Sequence, residues 1–157
     1  MSRVVAYLLR FAVIIAGYAF AALAASAFLN LISIGAFDWT AEEAPWVIAG
    51  SVLVSIPLAA LFVAYFAFVP SAVAILAAEL LRRRSWLFYA IAGALIAVGV
   101  VVFMRGGADA RLATDSRLTL AMIGGGMVGG IAYWLVAGRS AGRWLDSAAA
   151  DISAPGP

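Results

Sequence analysis

The chain contains no cysteine, no histidine and no lysine. Without cysteine there are no disulfides and no thiol nucleophile. Without histidine there is no Ser-His-Asp triad and no ordinary haem ligation, and the two absences together remove Cys/His zinc sites. Charge is scarce as well. The 10 bases, all arginine, and 8 acids make up 11% of the 157 residues, where a soluble domain carries about 25%. No long basic run with interleaved aromatics occurs, which argues against nucleic acid as a partner. The missing lysine, beside abundant alanine, glycine and valine, suggests a GC-rich coding sequence and hence a bacterium.

What is present is hydrocarbon: 66% of residues are hydrophobic, with a mean hydropathy of +1.09. The composition predicts an all-α integral membrane protein, a four-helix bundle with spans at about 8–35, 46–80, 86–104 and 118–138. These form one domain over 1–145 and leave 146–157 as a flexible cytoplasmic tail ending in ISAPGP. The fourth span, LTLAMIGGGMVGGIAYWLVAG, is uncharged and closed by Arg117 and Arg139. As a helix it covers roughly 30 Å, the thickness of a bilayer's hydrocarbon core.

Arg3 and Arg10 precede the first apolar run. A signal peptide is the competing reading, because Ala25-Ser26-Ala27 fits an A-x-A cleavage site. The run continues past that site through Phe28 and Leu29, which favours a retained span. Arg10 lies near the end of the run, where it is expected to snorkel to the headgroups. Asn30, the only amide in the chain, reads as a residue gluing helices, with a selectivity role as the alternative.

The first loop, DWTAEEAP over 38–45, holds three acids. Thr40 and Glu43 fit a capping box and Pro45 fits the first helical position, two readings that start the second helix several residues apart. Residues 46–78 are uncharged, about 50 Å of helix, so Pro57 and Pro70 are expected to kink it. Pro70 is expected to end or bend the spanning part, with 71–84 continuing as helix into the interface. Glu79 then stands one turn before Arg82 and Arg83 on the same helical face, the favourable order for an ion pair. A proton-carrying carboxylate is the alternative reading of Glu79.

Four spans put both termini on one side. That side collects Arg3, Arg10, Arg82, Arg83, Arg84, Arg139 and Arg143, and the other collects three arginines with five acids. The positive-inside rule predicts termini in the cytoplasm, the N-in/C-in arrangement of an inner-membrane protein. Trp39 and Trp46 then mark one interface, and Tyr7, Trp86, Tyr133, Trp134 and Trp144 the other. Arg82, Arg83, Arg84, Arg139 and Arg143 form a rim that sets topology and attracts anionic lipid headgroups.

Each span carries small residues at helical spacing, such as Ala22 with Ser26, Ser51 with Ser55, and Ala90 with Ala94. The fourth is the richest. Gly125 with Gly129, and Gly126 with Gly130, form two adjacent small-xxx-small registers, predicted as helix-packing faces. Whether they meet helices of this chain or of another subunit stays open, and so does a homo-oligomer or a larger membrane complex.

No triad, metal cluster, phosphate loop or paired carboxylate at membrane depth supports catalysis, and no cofactor is expected. The reading is a non-catalytic accessory, assembly or regulatory protein acting by helix packing. The alternative is a small oligomeric transporter or channel component, built on the two prolines, the glycine-rich helix and Glu79.

The segment Gly129-Gly130-Ile131-Ala132-Tyr133-Trp134-Leu135-Val136-Ala137-Gly138-Arg139, with Glu43-Ala44-Pro45-Trp46, resembles small four-helix bacterial inner-membrane proteins. The resemblance covers most of the chain and implies the same fold and membrane. It assigns no functional residue.

Overall fold

Apolar length produces the architecture directly. The computed structural model describes residues 3–36, 45–106 and 116–142. Among them are four helices, α1 (Arg3–Ala36), α2 (Pro45–Leu80), α3 (Trp86–Arg105) and α4 (Ser116–Val136), followed by a 3₁₀ turn at Gly138–Ser140. All four are long and apolar enough to cross a membrane. The first loop apart from Pro45, the 107–115 connection, Arg143, Trp144 and the tail lie outside the described residues.

α2 opens on Pro45, where a missing N–H leaves no bond unmade. The helix is continuous through both Pro57 and Pro70, so Pro70 does not end it. It stops at Leu80 rather than running on to Arg84. Arg83 N–H reaches the Ala78 carbonyl at 2.9 Å and Arg82 N–H the Glu79 carbonyl at 3.3 Å, the paired bonds of a Schellman cap. The left-handed residue of this cap is Arg82, at φ 51, a position that glycine occupies more cheaply.

α4 lies between α1 and α3 and packs closely against both, while α2 leans on α1 and barely meets α3. The buried core is made of small groups: Ala22, Ala25, Ser26, Ala60, Ala90 and Ala132, with Tyr89 and Tyr133 as its large members. Large side chains point outward instead, Leu53, Leu31 and Phe103 among them. Such an inversion suits a solvent of lipid tails, in which leucine gains nothing by hiding.

The two glycine registers of α4 divide between its neighbours. A Cβ on Gly129 would lie 3.1 Å from the Ala21 carbonyl oxygen, and one on Gly125 3.3 Å from Leu29 Cγ, both on α1. A Cβ on Gly126 would collide with the Gly93 carbonyl, and one on Gly130 with the Tyr89 carbonyl, both on α3. The question left open by the sequence is answered for this chain: both faces are covered by its own helices.

Candidate functional site

The polar atoms of the bundle fall into two groups. The first is a seam between α1 and α2. Ser26 Oγ donates to the Ile56 carbonyl at 2.8 Å, and Tyr18 Oη to the Ala64 carbonyl at 2.5 Å. Ser55 Oγ donates to Asn30 Oδ1 at 2.6 Å, and Asn30 Nδ2 to the Ser26 carbonyl at 3.0 Å. Asn30 therefore sits in an interhelical bond. Ser55 is engaged there as the donor to Asn30.

The second group is a clasp at the end of the bundle where α1 begins and α2 and α4 end. The Glu79 carboxylate, 5% exposed, accepts from Arg10 Nη2 through one oxygen and from the Gly142 N–H at 2.9 Å through the other. Arg10 Nη1 also donates to Ser140 Oγ at 2.6 Å and to the Ala137 carbonyl at 3.3 Å. Two expectations change here. Arg10 turns inward to a carboxylate rather than out to the headgroups. Because α2 ends at Leu80, Arg82 and Arg83 do not extend its helical face above Glu79. A buried charge needs a partner and further hydrogen bonds, and the clasp supplies both.

The clasp ties α1, α2 and the turn after α4 together. Arg84 Nε donates to the Ala141 carbonyl at 3.0 Å, and Trp134 Nε1 to the Arg84 carbonyl at 2.7 Å. The Arg139 guanidinium stands 4.6 Å from the Trp134 ring centroid. Arg82, Arg83, Arg84 and Arg139 are all exposed at this end. Gly142 is held at φ +72, and a Cβ there would lie 2.8 Å from Arg82 Cγ. Among the described residues, two buried polar side-chain atoms have no partner, Arg10 Nε and the Tyr133 hydroxyl.

Apolar spaces surround α2 on its loose side. An internal cleft of about 100 Å³ runs between α2 and the other three helices, bounded at the clasp end by Tyr89 and Tyr133. A second space of about 330 Å³, which shares Ala25, Ala67, Gly93 and Gly126 with the first, reaches Met104 and Met122. Outside, a groove of about 820 Å³ follows the α2–α3 flank past Tyr65, Pro70, Gly99 and Phe103. Tyr65 is 78% exposed near the middle of its span. A Cβ added to Gly99 would meet nothing within 4 Å.

Among the described residues no three His, Cys, Asp or Glu side chains come together to hold a metal. Sequence reasoning missed Gly142, and it placed Tyr133 at the interface, whereas the ring is buried in the core. It also missed the Arg10–Glu79 pairing, although a signal existed: these opposite charges border the apolar interior at the same end of antiparallel neighbours. Comparison of the chain with protein-family models, with curated proteins and with solved structures finds no match.

Proposed function

We propose that this chain is a multi-pass protein of a bacterial cytoplasmic membrane, with both termini inside, that acts by helix packing as an accessory, assembly or regulatory subunit. The asymmetric arginine distribution supports the orientation, and the rim of Arg82–Arg84 and Arg139, extended in sequence by Arg143, then faces anionic headgroups. Pro57 and Pro70 each remove an N–H from α2, which favours a kink there. The glycine registers are spent inside the chain, so the partner surface is the α2–α3 groove, and its occupant is a transmembrane helix of another protein.

Tyr65 carries this reading. Its hydroxyl lies at mid-span on an outward face, where lipid tails offer no hydrogen bond and a partner's polar group does. The open notch at Gly99 lets a second backbone come close beside it. A transporter has less support, because the polar groups of Tyr18, Ser26, Asn30 and Ser55 are bonded along the α1–α2 seam.

A photocrosslinking amino acid at Phe103 in native membranes should give one discrete protein adduct, absent when the probe replaces Leu31 on α1. Tyr65→Phe or Gly99→Leu should remove that adduct. Lipid adducts alone at both positions would refute the reading, and an adduct of two identical chains would make the partner a second copy.

A further inference from the structure

The turn after α4 gathers guanidinium groups from two places in the chain. Arg84 Nε donates to the Ala141 carbonyl at 3.0 Å, and the stem of Arg82 packs beside Gly142. Arg139 belongs to the same turn, and its guanidinium lies over the Trp134 ring at 4.6 Å from the centroid. The indole donates through Nε1 to the Arg84 carbonyl at 2.7 Å. Trp134 therefore holds Arg139 on its face and the Arg84 backbone at its edge. A guanidinium laid on an aromatic face keeps its N–H donors in its own plane, a fork that matches the oxygens of a phosphate.

The charge at this turn is one-sided. Glu79 is the only aspartate or glutamate among the described residues. It is buried, and it accepts from Arg10 and from the Gly142 N–H inside the clasp. Arg82, Arg84 and Arg139 are exposed. A phosphodiester placed here meets cations, whereas a headgroup ammonium meets like charge and no exposed carboxylate of the described residues. Apolar surface adjoins the cations: Trp86 and Leu87 open α3, Leu135 and Val136 close α4, and all four are exposed. Acyl chains thus find lipid-facing side chains within about one helical turn of the arginines.

We propose that the turn after α4 is a binding site for the phosphodiester of an anionic glycerophospholipid whose headgroup carries no ammonium, phosphatidylglycerol being the simplest. Arg139, held by Trp134, is its principal donor, and Arg82 and Arg84 add attraction. The site rests on the membrane reading given above and sharpens a charged rim into one defined point of contact. Binding to the purified chain is independent of which side faces the cytoplasm. A negative result here therefore leaves the orientation and the α2–α3 groove standing.

The test is native mass spectrometry of the purified full-length protein in detergent, titrated with dioleoyl lipids that differ only in headgroup. A single phosphatidylglycerol should bind about tenfold more tightly than phosphatidylethanolamine or phosphatidylcholine. Arg139→Gln should weaken phosphatidylglycerol about tenfold, the loss of one charge-assisted hydrogen bond, and leave the two zwitterionic lipids unchanged. Arg117→Gln removes the same charge at the opposite end of α4 and should leave the preference intact. Equal binding of the three headgroups by the parent would overturn the site, and so would an equal loss on Arg117→Gln, which would make the attraction diffuse. Displacement of phosphatidylglycerol by equimolar inorganic phosphate would overturn the assignment to a lipid.

Discussion

Arg10 on α1 donates through its guanidinium to Glu79 in the last turn of α2, and the same carboxylate receives the N–H of Gly142 beyond α4. Three segments far apart in sequence are thus fixed by one carboxylate at the end of the bundle.

Removing one partner leaves the other charge buried. Glu79→Ala or Arg10→Ala should therefore destabilise the bundle by about 3–5 kcal/mol. Replacing both with well-packed apolar residues, Arg10→Met with Glu79→Leu, should recover much of that loss. Unfolding by SDS titration in mixed micelles measures it. Single variants as stable as the parent would show that the clasp contributes nothing.

The glycine faces of α4 are unequal. Gly126→Ala and Gly130→Ala drive a methyl group into α3 backbone, which cannot yield as a side chain can. Each should cost about 2 kcal/mol or more. Gly125→Ala meets the Leu29 side chain at 3.3 Å and should cost under about 1 kcal/mol. The same SDS titration ranks them, and an equal cost for Gly125 and Gly130 would contradict the packing described above.

The α1–α2 seam should behave as membrane hydrogen bonds do. Asn30→Ala, Ser26→Ala and Tyr18→Phe are each expected to cost about 0.6–1.7 kcal/mol. Ser55→Ala should add little to Asn30→Ala, because the two side chains share one bond. A double-mutant cycle tests this, and additive costs would mean that the pair is not coupled.

Orientation is accessible because the chain has no cysteine of its own. A cysteine introduced by Arg83→Cys should react with an impermeant maleimide only from the cytoplasmic side, and one introduced by Ala113→Cys only from the other. Labelling of both from one side would remove the four-span topology.

Four membrane-length helices and their approximate limits were legible in the sequence. Each depends on residue type and on apolar length, which are local properties of the chain. The register of the contacts was not legible. These helices are apolar nearly all round, so no polar face in the pattern of α4 says that Gly129 meets α1 while Gly130 meets α3. The end of α2 was misjudged for a related reason. Nothing local marks Arg82 as the left-handed residue of a cap, a place usually taken by glycine, and its stem packs against Gly142, 60 residues away.

The sequence by itself determined that this protein carries four membrane-length helices and which end bears the arginines, because transfer of a segment into lipid depends on its own composition. Only the tertiary structure decided that Arg10 faces Glu79, that both glycine registers are filled from within, and that Tyr133 is packed in the core against Ala78, Tyr89 and Ala137. Those facts depend on how each helix is rotated about its axis, and that rotation is set by its neighbours.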